Sequence, residues 1–280
     1  MAELGKYLYC IISCPEERSF DAVAIGDAGS TLYTVGYQGL AVVVSDSPIT
    51  RYQTTRQNMM AHEKVQERVM QEFVLLPVRF GTVTDPASPV EDIQRLLGSR
   101  FEEFSTLLKD MEGKVELGLK AFWRDEKAIF AEILAENAGI RRLRNSLIRK
   151  PPEAIRFDGI ALGQMVKEAL ERKRAQEAAR LLAPLRRLAL QVKENPTLAD
   201  RVILNAAFLV EKAQGQEFDR AVSELDEGYG KRIGFKYVGP TPPYNFVDIV
   251  VDWEEVRGFQ LAGREGVSDR FAYPAGAGAH

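Results

Sequence analysis

His62 and His280 are the chain's two histidines, and Cys10 and Cys14 are its two cysteines. These residue types most often serve as bases, nucleophiles and zinc ligands, and here they are scarce. A general base needs a nucleophile in hydrogen-bond reach and a group behind it to orient it. His62 has neither nearby in sequence. Glu63 adjoins it, but adjacent residues of a helix do not face each other. His62 lies on an apolar stripe, which predicts a buried or half-buried histidine with one hydrogen-bond partner. Cys10 and Cys14 read as reduced structural thiols, because a buried free cysteine behaves as a small hydrophobe and disulfides are rare in the cytosol. Four such residues exclude a zinc ribbon and a disulfide scaffold. There is no glycine-rich phosphate loop, nucleophile elbow, HExxH helix or EF-hand loop. The acidic pairs Glu16-Glu17, Glu91-Asp92, Glu102-Glu103 and Asp226-Glu227 read as solvated faces, not as an acid/base couple. The expectation is a protein that is not an enzyme, with no catalytic residue, metal or cofactor.

Two short segments are unusual enough to suggest a site. In the first, Leu76-Pro77-Val78-Arg79-Phe80-Gly81-Thr82, an arginine stands among apolar residues ahead of a glycine. An unpaired buried charge is costly, so Arg79 is expected to pair with a carboxylate or cap carbonyls and to organise the first domain. The second is Val238-Gly239-Pro240-Thr241-Pro242-Pro243-Tyr244-Asn245-Phe246. Its prolines fix the backbone and aim Tyr244 and Phe246 rigidly. Either both rings fill the core at a stiff connection, or they form a preordered aromatic patch for a protein partner.

The elements that must hold these segments follow from hydrophobic period. Residues 6–13, 31–35 and 40–45 read as strands, the last two joined by the turn Gly36-Tyr37-Gln38-Gly39. The unbroken apolarity of 40–44 suggests a central strand covered on both faces. Met59, His62, Val65, Val69 and Phe73 recur at helical spacing, with Thr54 and Gln57 as a capping box. Pro77 places 75–83 at a sheet edge or in an irregular extended piece. Ser88, Pro89 and Glu91 open one long helix that runs to Met111. Beyond Gly113 come a strand over 114–123, helices to 149, a long helix over about 154–182 ended or kinked at Pro184, with 185–192 adding turns, and a strand over 201–212. A short helix and two strands follow, the second carried by Tyr244, Phe246, Ile249 and Val251. Such an order suggests an α+β protein of two domains, 1–112 and 113–253, the second a modified ferredoxin-like split βαβ with inserted helices, followed by a Gly-rich tail over 254–280.

Charge divides at the same boundary. Residues 1–112 carry 10 basic and 16 acidic side chains, residues 113–253 carry 24 and 20, and the formal net charge is −3. The stretch 141–193 holds 14 basic and 5 acidic residues. Three readings of it stand side by side: a solvated helix face, a surface for an acidic protein, and a nucleic-acid-binding module. With Phe157 as its one aromatic residue it offers little for base stacking, which argues against nucleic acid as a partner. No stretch approaches the ~18 apolar residues that span a bilayer, and no secretory pattern opens the chain, so no membrane is expected and the cytoplasm is the default location.

The segments at 6–12 (KYLYCII), 40–46 (LAVVVSD), 75–82 (LLPVRFGT) and 238–247 (VGPTPPYNFV) resemble, in order and separation, the gas vesicle protein F/L family. The chain departs from that pattern at Thr241, where many members carry tryptophan. The resemblance implies two α+β domains and a non-catalytic minor component or assembly factor of the gas vesicle, within the cytoplasm. The implied partners are the hydrophobic shell subunit and other gas vesicle accessory proteins. Arg79, Phe80, Gly81, Thr82, Gly239, Pro240, Pro242, Pro243, Tyr244 and Phe246 are the candidate partner-contact or structural residues.

Overall fold

The structure, a computed structural model, describes residues 4–26, 31–48, 51–148 and 156–259. Its first sheet contains β1 (Gly5–Ser13), β2 (Ser19–Phe20), β3 (Leu32–Tyr37), β4 (Leu40–Ser47) and β5 (Leu75–Pro77), in the spatial order β2-β3-β4-β1-β5. Gln38 and Gly39 both have positive φ, the turn geometry that suits a two-residue hairpin between β3 and β4. β4 is central and buried on both faces, as its apolar run suggests. β5 lies at the edge, where Pro77 needs no ladder partner.

Helices cover both faces of this sheet. α1 (Arg56–Met70) packs on Tyr7, Tyr9, Ile12 and Val43 through Val65 and Val69. Its cap is Thr55, whose side chain accepts from the Asn58 N–H, so the helix starts one residue later than the Thr54 capping box predicts. The opposite face packs on α2 (Pro89–Ser99) and α3 (Phe101–Met111). The single long helix expected here is broken at Arg100. That residue leaves helical geometry and sends its guanidinium to Glu103 and to the Val250 carbonyl, 2.8 Å away.

The second sheet contains β6 (Lys114–Trp123), β7 (Gln191–Glu194), β8 (Val202–Glu211) and β9 (Ile233–Thr241), in the order β7-β8-β6-β9 with every neighbour antiparallel. β6 and β7 are therefore parallel with β8 set between them. Between β6 and β7 run α4 (Glu126–Glu136), α5 (Ala138–Leu147) and α6 (Arg156–Arg186); α7 (Gly215–Tyr229) joins β8 to β9. α6 continues through Pro184, and of residues 185–192, expected to add helical turns, the last two, Gln191 and Val192, open β7 instead. Arg232, Glu132, Glu177, Lys173 and the Trp123 indole form one polar network that fastens α4 and α6 to this sheet.

The chain then returns to the first sheet. Val247, Ile249 and Val256 lie in one apolar cluster with Leu8, Val42 and Leu96. α8 (Trp253–Arg257), capped by Asp252, packs on α2. Residues 247–253 thus pack with the first core, although the expected boundary at 253 assigns them to the second domain. The expected tail opens with a helix, and its residues from 260 onward lie outside the described residues.

Candidate functional site

The two singled-out segments, far apart in sequence, meet where the sheets adjoin. Val78 follows β5, donates to the Tyr9 carbonyl at 3.0 Å and forms a parallel bridge with Ile249. This places Arg79 opposite Asp248. Arg79 Nε donates to Asp248 Oδ1 at 2.7 Å and Nη2 to Oδ2 at 2.5 Å. The pairing with a carboxylate is one of the two expected alternatives, but the environment is not: the side chains are 58% and 62% exposed. Arg79 joins the returning segment to the first sheet rather than organising the first domain from within. Its guanidinium holds the Asp248 carboxyl below the usual range.

The turn after Arg79 is tied down from below. Gly81 has φ +83°, a left-handed conformation that favours glycine, and its N–H donates to Tyr7 Oη at 3.0 Å. Thr82 Oγ1 donates to the Arg79 carbonyl at 2.8 Å. Because Tyr7 Oη accepts from Gly81, it can donate to His62 Nδ1, 3.0 Å away, leaving His62 Nε2–H to donate to the Val78 carbonyl at 3.2 Å. His62 is buried, as its place on the apolar stripe implies, and its ring nitrogens meet three groups where one partner is expected: Tyr7, the Val78 carbonyl and the Gln66 amide, 2.9 Å from Nε2. Burial lowers its pKa to about 4, partly opposed by the Val78 bond, so it stays neutral at neutral pH. A neutral imidazole that bridges two structural groups is a brace.

The proline segment is equally constrained. Gly239 has φ +134°, and an added Cβ would stand 2.8 Å from a Leu117 methyl and 3.0 Å from the Glu116 carbonyl. The Gly239–Pro240 peptide is cis, and Pro242 and Pro243 are buried. The Pro243 carbonyl accepts from the N–H groups of Phe246 and Val247, at 3.1 and 2.9 Å. The expected strand over 244–251 is therefore a compact turn followed by an extended piece with one bridge. Alternation holds only for Val247, Ile249 and Val251, which turn inward between the exposed Asp248 and Val250, and β5 offers too short an edge to build a ladder.

Asn245 anchors this turn. Its backbone N–H and side-chain amide donate to the two oxygens of Glu116, at 2.8 and 2.5 Å. Its Oδ1 accepts from Asn195 Nδ2 and its carbonyl from Lys193 Nζ. Glu116 is 3% exposed. Burial pushes its carboxyl up, while the two Asn245 bonds and the Lys193 charge pull it down. Sequence reasoning passed over Glu116, Asn245 and Asp248. A charged residue flanked by Val115 and Leu117 in a strand was the available signal for Glu116.

The outcome for the two rings differs. Phe246 is half-buried against the first core. Tyr244 remains 37% exposed and walls a groove floored by Met59, Phe80 and Val247, with Glu63 and the Arg79–Asp248 pair at its rim. On another side, Pro240, Thr241 and Pro243 line a second cavity with Leu75, Met111 and Lys114.

Part of the basic stretch is spent internally. Arg141 donates to the carbonyls of Leu134 and Ala135, Lys173 pairs with Glu132 and Glu136, and Arg186 pairs with Glu194.

A family model described as gas vesicle synthesis protein GvpL/GvpF matches residues 5–248. The chain belongs to the GvpL/GvpF family. Gas vesicle protein F of Haloferax mediterranei is 27% identical, covering 90% of this chain and 97% of that protein. Gas vesicle protein F2 of Halobacterium salinarum is 30% identical over 92% and 98%. Crystal structures of GvpF from Anabaena sp. PCC7120 and from Microcystis aeruginosa superpose with TM-scores of 0.74 and 0.70. They are 26% and 28% identical and cover 89% and 86% of this chain. Membership in the GvpL/GvpF family gives the chain a gas-vesicle-related role and a mixed helix–sheet fold. Among the described residues no helix is long and apolar enough to cross a membrane.

Proposed function

We propose that this GvpL/GvpF family member acts in gas vesicle assembly, binding the hydrophobic shell subunit and accessory proteins of the vesicle through the junction face around Tyr244. Family membership supplies the vesicle context. The observation that carries the binding reading is the Tyr244 ring, rigidly backed by buried prolines and by Asn245, yet left part-exposed over an apolar groove. A part-exposed aromatic on a fixed backbone loses little freedom on binding, which is what a contact hot spot requires. A strongly apolar subunit aggregates through exposed patches and strand edges unless they are covered before assembly. Burying such a patch on Tyr244, Phe80 and Met59 would keep it from self-association. The protein would act at the vesicle within the cytoplasm, by contact rather than by catalysis.

The test is co-purification of the shell subunit with the wild-type chain and with Tyr244→Ala and Phe80→Ala. Retention by the wild type and loss in both variants, each still cooperatively folded in a thermal melt, supports the reading. Equal retention by all three removes the site. Normal, pressure-resistant vesicles in normal numbers after deletion of the gene would argue against the assembly role itself.

A further inference from the structure

The rim of the Tyr244 groove carries the Glu63 carboxylate, and Glu67 lies one turn beyond it on α1. Glu63 and Glu67 stand four residues apart on α1, both exposed. Like charges at that spacing repel. Partial burial and then the Glu67 charge push the Glu63 carboxyl above its ordinary value. The nearby guanidiniums are committed elsewhere, Arg68 to Glu72 at 2.6 Å and Arg79 to Asp248, and the neighbouring Lys64 pairs with neither carboxylate. Among the described residues neither Glu63 nor Glu67 forms an ion pair. Both charges reach Tyr244, whose phenol is pushed up first by burial and then by Glu63 and Glu67. Its hydroxyl has no hydrogen-bond partner among the described residues.

An apolar floor beside two unanswered carboxylates selects for a particular ligand. An aliphatic side chain alone would fill the floor and leave the repulsion in place. An acidic segment would add to it. A cation brought in with the aliphatic group would relieve it in a partly desolvated setting, where charge complementarity sets specificity and encounter rate.

We propose that this groove recognises a partner segment that combines an aliphatic side chain with a lysine or arginine within about one turn of it. The aliphatic group seats on Met59, Phe80 and Val247 beside Tyr244, and the cation lies between Glu63 and Glu67. This specificity rests on the reading above that the junction is a partner-binding face.

The probe is a set of overlapping 15-residue peptides covering the shell subunit, presented to the full-length wild-type chain and to a Glu63→Lys/Glu67→Lys variant. Both positions are exposed, and melting temperature checks the fold of the variant. Peptides retained by the wild type should carry Lys or Arg close to their aliphatic residues. Replacing that cation by Glu should weaken binding at least tenfold. The charge-reversed chain should lose those peptides and gain the Glu-substituted ones, and Phe80→Ala should lose both sets. Preference of the wild type for neutral apolar peptides, or identical binding by wild type and charge-reversed chain, overturns the inference. Capture of the intact shell subunit that ignores the Glu63→Lys/Glu67→Lys change would defeat the cation rule and leave the assembly reading standing. Failure to capture either peptides or intact subunit would defeat both.

Discussion

Arg79 grips Asp248 with two parallel hydrogen bonds across 169 residues of sequence, and this pair marks where the end of the described fold is stitched back to its first sheet. Both side chains are well exposed, so the pair gives geometry and register more than stability. The Val78–Ile249 bridge and the Arg100 bond to the Val250 carbonyl follow directly after it along the returning segment.

Arg79→Ala should leave the melting temperature nearly unchanged and raise amide exchange over residues 244–250. Arg79→Lys should restore little, because lysine cannot reproduce the two-pronged bond. The Asp248 pKa is depressed in the fold, so the coupling is present above the ordinary aspartate pKa and is lost as pH falls through the folded value. A double-mutant cycle across pH and salt measures it, and the coupling should vanish at high salt.

Glu116→Ala should be far more damaging. It leaves the Asn245 N–H and amide without acceptors in a buried place, at a cost of about 2–3 kcal/mol. Glu116→Gln, which keeps one acceptor, should cost about 1 kcal/mol. Urea denaturation reads both. Equal stability of all three proteins would show that the turn is held by its prolines alone.

His62 makes stability depend on acidity. Its folded pKa of about 4 lies below the unfolded value near 6.5, so between these limits the unfolded chain binds more protons. The contribution is complete above about pH 6.5 and falls progressively towards pH 4, by roughly 3 kcal/mol in total. Denaturation midpoints at pH 7 and pH 4.5, compared in wild type and His62→Gln, check it. The variant should be weaker at pH 7 and show a flatter acid limb.

The two rings of the proline segment should separate cleanly. Phe246→Ala removes a group packed on the first core and should destabilise by about 2–3 kcal/mol, below the range for a wholly buried ring. Tyr244→Ala should cost less than half of that and should act on partner retention instead. Stability and binding measured on the same two proteins distinguish these effects.

Gly239→Ala should destabilise more than any exposed substitution, because the new methyl meets the Glu116 carbonyl and Leu117 at a backbone angle that alanine resists. Thermal melting against Gly81→Ala is the comparison. Position 81 has positive φ but open space, so only the backbone strain applies there.

Much of this was legible in the order of residues. The β3–β4 hairpin, the buried β4, the edge position of Pro77 and the apolar stripe of α1 all follow from period and turn chemistry, which are local. So does the inference that Arg79 and the proline segment are special, because their composition is unusual wherever they sit. Tertiary structure decided what they do. The apolar residues at 244–251 predict a strand, but a strand also needs a long enough edge, and β5 ends at Pro77. The stripe from Ile93 to Met111 predicts one helix, but Arg100 is drawn out of it by Glu103 and by a carbonyl 150 residues away. Asp248, Asn245 and Glu116 look ordinary in sequence and acquire their roles only when the chain returns to its first sheet. Local periodicity records which face of an element is buried. Which distant charge, carbonyl or edge completes it is set by the packing of the whole chain.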